Sequence, residues 1–239
     1  VTSRLLEPWR RPLTVSRREA VDGGREATPI LDWEDLRVLD LIAEIRTAGI
    51  ADERDLLIAA HRLVAARVRP VYGMDDRQPV SVTLALGRGS CSQRMAVLEA
   101  VARACGIETR VRGLLVDGRF WYPRFPRMHA LIPRRVVLAW PEFHLDGRWI
   151  SASGLYGDLA ALQTGEGFTN AGGETLFDAI ARTAVDWDGV TCSSCDLSAQ
   201  VLADLGYFDS RDELFEAHGQ TLCRPARTVA NPLMSRRSA

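Results

Sequence analysis

From Asp32 onward apolar residues recur at the helix period, with Trp33, Leu36, Leu39 and Ile42 on one stripe until Gly49 stops the run. A second helical pattern covers about Asp52 to Arg67. It carries Leu56, Leu57, Ala60, Leu63 and Val64 on its apolar face, and His61 beside that face reads as a half-buried packing residue. Residues 70 to 88 contain Pro70, Gly73, Asp75, Asp76 and Pro79 and read as a loop. A third helix is predicted over 91 to 104, burying Met95, Leu98, Val101 and Ala102, with Gly106 placed to supply a left-handed cap.

The period then falls to two. Thr109 to Val116, Val136 to Leu145 and Trp149 to Ser153 read as strands, with turn signals at Asp117-Gly118 and Asp146-Gly147. Helices followed by hairpin-linked strands imply an α+β chain with an antiparallel sheet, not a doubly wound one. Beyond Ser153 the chain reads as loop through Gly173, then as helix over Thr175 to Val185, Leu197 to Leu205 and Arg211 to Ala217. Ser210 and Glu213 have capping-box spacing. The expected organisation is a poorly ordered arm over 1–30, a core over 31–160 and a mainly helical extension over 161–239.

Composition narrows the partners. The chain has 239 residues, 46% of them apolar, and a formal charge of −1, which gives no global reason to expect nucleic acid or an anionic membrane. All thirty cationic residues are arginine, as a GC-rich bacterial genome would favour. No apolar run approaches the roughly 20 residues that span a bilayer, and Val1 to Ala20 lacks an apolar signal segment, so the expectation is a cytoplasmic protein. Five cysteines, an odd number, argue against a disulfide framework.

Cys91 carries the candidate chemistry. It opens a helix, where unpaired amides and the macrodipole favour a thiolate and an oxyanion, and Arg88 and Arg94 flank it. The stretch Gly89-Ser90-Cys91, then Leu98, Ala102, Cys105-Gly106-Ile107, Arg110 and Gly113, resembles the nucleophile segment of transglutaminase-like cysteine enzymes. Leu138-Ala139-Trp140-Pro141-Glu142 and the following Asp146-Gly147-Arg148-Trp149 resemble that family's second block. The resemblance implies a transglutaminase-like core, with a nucleophile helix packed on an antiparallel sheet, and a Cys-His-Asp triad for acyl transfer.

Only the nucleophile of that triad carries over. Leu138 stands at the histidine position and Ser153 at the aspartate position, and neither side chain can do the work of the residue it replaces. His144 shares a strand face with Leu138 but sits roughly 20 Å along it, too far to substitute. A turn at Pro133-Arg134-Arg135 would pair 129–132 with 136–139 and set His129 opposite Ala139, beside the vacant position. The candidate catalytic residues are therefore Cys91 and His129, with Glu142 a supporting residue.

The implied function is acyl transfer, or amide or thioester hydrolysis, through Cys91 with an atypical triad. The alternative is an inactive binding or scaffold protein on the same fold. The expected partner is a peptide, a protein or a small acyl or amine substrate, with no nucleic acid, no membrane and no cofactor. Two other clusters are weighed. Cys192, Cys195, His218 and Cys223 form a weak zinc-type set that fits no common finger and reads first as ordinary thiols. Phe120, Trp121, Tyr122 and Phe125 among Arg119, Arg124 and Arg127 read as packing and loop residues rather than a nucleic-acid surface.

Overall fold

A computed structural model describes residues 19–157, 167–190 and 195–235. Four helices come first: α1 (Leu36–Thr47), α2 (Glu53–Arg67), α3 (Val80–Leu86) and α4 (Cys91–Ala104). Asp35 caps α1 by accepting from the Arg37 amide, and Asp52 caps α2 by accepting from the Asp55 amide. The buried stripe of α1 is Val38, Leu41, Ile42 and Ile45, whereas Leu36 and Leu39 are exposed. That corrects the expected stripe. Two stripes in this segment satisfy helical spacing, and only the packing of α1 on α2, α3 and α4 chooses between them.

Residues 70–88 are not all loop, since α3 lies inside them between Pro79 and Gly87, the latter at φ 56°. Two-residue strands β1 (Arg69–Pro70) and β2 (Arg88–Gly89) pair in parallel on either side. They deliver the chain into α4. Ser90 accepts from the Gln93 amide while the Gln93 side chain accepts from the Ser90 amide at 2.8 Å, a complete capping box. Every residue from Gln93 to Arg103 is buried, so α4 is the central helix, and Gly106 at φ 88° ends it as expected.

The main sheet is antiparallel, with strands ordered Arg148–Ser151, Arg135–Leu145, Thr109–Asp117 and Val201–Phe208. β3 (Thr109–Asp117) pairs with β4 (Arg135–Leu145), setting Gly113 opposite Ala139, and β4 pairs with β5 (Arg148–Ser151). Asp146 and Gly147 join β4 to β5 with φ of 52° and 71°, the two positive values a type I′ turn requires. Asp117-Gly118 is no such turn. Asp117 caps a 3-10 helix over Gly118–Arg124, and the chain makes an excursion to residue 134 before β4 begins.

β8 (Val201–Phe208) is the fourth strand, antiparallel to β3. This corrects the helix expected over Leu197 to Leu205 and brings part of the C-terminal extension into the core sheet. Likewise the helix expected from Thr175 is one turn, α5 (Leu176–Ala179), followed by the short parallel pair β6 (Val185–Asp186) and β7 (Cys195–Asp196). Helices α6 (Arg211–His218) and α7 (Arg224–Met234) follow, and Ser210 accepts from the Glu213 amide at 3.2 Å to cap α6. Residues 1–18 of the expected arm lie outside the described residues. The rest of it is ordered against the core: Gly24 and Thr109 exchange backbone hydrogen bonds, and Ile30 is buried.

Candidate active site

Cys91 occupies the first position of α4 and is half-buried. What lies over it is α5. Its residue Phe177, fully buried, turns its backbone N–H to the Cys91 sulfur, and its ring lies 4.2 Å from the Arg94 guanidinium carbon. Arg94 itself is 1% exposed and bonds both Asp178 oxygens, at 3.0 and 2.8 Å. Asp178 in turn caps its own helix start through the Thr175 amide and hydroxyl.

Burial pushes the Cys91 thiol up to about 11, with Asp178 adding to the shift and Arg94, the Phe177 amide and Arg211 opposing it. Burial thus acts against the thiolate-favouring helix start. Removing sulfur from water costs the thiolate more than the nearby cations return, and Arg94 is already matched to Asp178.

The structure sets His61 against Phe177. His61 is 2% exposed, its ring stacks on Phe177 at 4.2 Å, and its Nε2 lies 2.5 Å from the Phe177 carbonyl. A carbonyl only accepts, so Nε2 carries the proton; Nδ1, 2.7 Å from the Tyr156 hydroxyl, accepts from it. Burial lowers the His61 pKa below its ordinary value, consistent with this neutral form. The sequence signal was there in a single imidazole beside the apolar stripe of α2, but its partners come from residues 156 and 177.

His129 is in a short 3-10 helix (His129–Leu131) and stacks face to face on Tyr122 at 4.0 Å. The hairpin expected to carry it does not form, because residues 136–139 pair with β3 and the intervening chain is consumed by the excursion. No hydrogen bond joins His129 to Cys91. Leu138 is buried opposite Leu114, and Ser153 is buried with its hydroxyl 2.8 Å from that of Ser151. Glu142 pairs with Arg110 at 2.7 Å, and Arg110 lies over both Trp149 and Tyr207, so this carboxylate supports the sheet face. His144 faces Glu108 at 3.5 Å.

Of the zinc-type set, Cys192 lies outside the described residues. Cys195 is buried in β7, His218 meets Phe208 edge-on, and Cys223 precedes α7. Among the described residues no group of three or more His, Cys, Asp or Glu is arranged to hold a metal. The aromatic cluster is divided: Phe120 is buried against Trp121, Phe168 and Trp187, whereas Phe125 meets Tyr72. Among the described residues no helix is long and apolar enough to cross a membrane.

The family model for the transglutaminase-like superfamily matches residues 43–153, from α1 through the 3-10 turn that holds Ser153. No curated protein and no solved structure matches the chain. With the cysteine opening a central helix and that helix packed on an antiparallel sheet, residues 43–153 of this chain are a core of the transglutaminase-like superfamily.

Proposed function

We propose that the protein is a catalytically silent transglutaminase-like domain that acts by binding a peptide, protein or small acyl or amine ligand. One observation carries this reading: the Cys91 sulfur faces the Phe177 backbone amide and no imidazole, while Leu138 and Ser153 stand where the family resemblance puts a base and its orienting carboxylate. A thiol at about 11 holds only about one thiolate in ten thousand at pH 7. Without a hydrogen-bonded base it is a poor nucleophile.

A second reading, acyl transfer or hydrolysis through Cys91, is favoured by the intact capping box that points the first turn of α4 at the sulfur. The alkylation rate of Cys91 against pH, followed by mass spectrometry of its peptide, separates the two. The silent reading expects a midpoint near 11 and identical acyl-transfer and hydrolysis rates for wild type and Cys91→Ala. A midpoint at or below an ordinary thiol's, about 8.5, overturns it.

A further inference from the structure

We propose that residues 175–180 are an internal cover over a latent thiol–imidazole pair, with Phe177 holding Cys91 and His61 apart and displacement of the segment joining them. This deepens the silent reading above and rests on it. The geometry is that of a wedge. One residue gives its N–H to the sulfur and takes the Nε2–H of His61 on its carbonyl, at 2.5 Å. Its ring is in contact with both the His61 ring and the Arg94 guanidinium, at 4.2 Å from each. A single residue spans the gap, so thiol and imidazole stand within about 10 Å of each other.

Leu176, Phe177, Ala179 and Ile180 seat the segment in the core, and its polar fasteners are local. Arg94 grips Asp178 with two hydrogen bonds, and Thr175 closes the short helix on the same carboxylate. A cleft of about 510 Å³ lined by His61, Arg62, Tyr156, Asp178 and Ala181 lies directly beside the wedge. It offers the room into which an imidazole released from Phe177 can turn. The charged and titratable groups around the pair are Arg62 from α2, Arg94 from α4, Asp178 from α5, Arg211 from α6, and Tyr156.

Once the Phe177 carbonyl leaves, Nε2 loses its acceptor and the ring proton passes to Nδ1, where the Tyr156 oxygen accepts it. The Nε2 lone pair then takes the thiol proton. With iodoacetamide as the probe, the sulfur–carbon bond forms, the carbon–iodine bond breaks, iodide leaves and the thiol proton stays on the imidazole. Tyr156 is a positioning residue in this step.

Iodoacetamide labelling of Cys91 in the full chain tests the proposal, with Asp178→Ala and the milder Arg94→Lys as two independent ways of loosening the cover. Both variants are expected to label at least tenfold faster than wild type at pH 7.5, with a midpoint below that of an ordinary thiol. Adding His61→Gln to either is expected to return the midpoint to about 8.5 while labelling stays faster than in wild type. Fast labelling whose midpoint ignores His61→Gln overturns the proposal, as does wild-type slowness in both loosened variants. A variant that has unfolded is recognised because buried Cys195 then labels as fast as Cys91, and the other variant decides. A wild-type midpoint at or below 8.5 instead sinks the silent reading itself.

Discussion

Arg211 and Glu99 form an ion pair of 2.5 Å with both side chains fully buried. The same guanidinium donates to the Ser92 hydroxyl at 2.9 Å, next to Cys91, and reaches the Ala139 carbonyl at 3.4 Å. One side chain of α6 thus ties the start of the central helix to β4. Removing either partner strands the other as a buried charge, so Arg211→Ala and Glu99→Ala are each expected to cost about 3–5 kcal/mol in chemical denaturation. The apolar double variant Arg211→Met with Glu99→Leu should lie closer to wild type than either single variant. If the two single costs simply add in the double, the pair is not coupled.

Gly118 is required by a close approach rather than by a turn. Its amide donates to the Arg134 carbonyl at 3.0 Å, and a Cβ built there would lie 1.8 Å from the Pro133 carbonyl oxygen. Neither group can yield, since both are backbone. Gly118→Ala is expected to open the base of the 118–134 excursion, with a loss exceeding the 1–3 kcal/mol typical of overpacking. Thermal unfolding checks it, and a wild-type melting temperature would contradict the predicted approach. Gly147→Ala, where nothing lies within 4 Å and only φ 71° is at issue, should cost about 1 kcal/mol.

Asp76 predicts a pH dependence of a particular sign. Burial raises its carboxyl to about 6, although the Thr221 amide donates to it at 3.2 Å. A folded pKa above the unfolded value of 3.8 means that its contribution is complete below 3.8 and is lost as pH rises through 6. Asp76→Asn keeps an acceptor for Thr221 and carries no charge. Relative to wild type it should gain about 2–3 kcal/mol between pH 4 and pH 8, read from urea midpoints. A difference that is flat across that range, or that falls, refutes the assignment.

His61 works in the opposite direction. Burial lowers its folded pKa below the ordinary 6.5, so the stability it brings as a neutral ring is present above 6.5 and is lost as pH falls through that value toward the folded one. Wild type should therefore lose stability faster than His61→Gln between pH 7.5 and 5.5. Parallel curves over this window would show that the ring is not held neutral between Phe177 and Tyr156.

Much of the fold was legible because it is local. The Ser210 cap of α6, the end of α4 at Gly106 and the Asp146-Gly147 turn each depend on a few neighbouring residues, and each is where the residue pattern put it. The misreadings share a cause. Val201 to Phe208 has apolar spacing that suits either helix or strand, and its membership of the sheet is set by hydrogen bonds to β3, some ninety residues earlier. The buried face of α1 likewise belongs to its neighbours and not to its own period.

The site divides in the same way. Sequence by itself determined that a cysteine opens a central helix of a transglutaminase-like core, and that leucine and serine stand where its partners would be. Only the tertiary structure decided the surroundings of that cysteine, because burial, which raises a thiol's pKa, depends on what is packed around the sulfur. Phe177 and Asp178 are far from Cys91 in the chain, and no local pattern reports that they act on its sulfur. The identity of a nucleophile is written in one residue, but its ionisation is a property of the space around it.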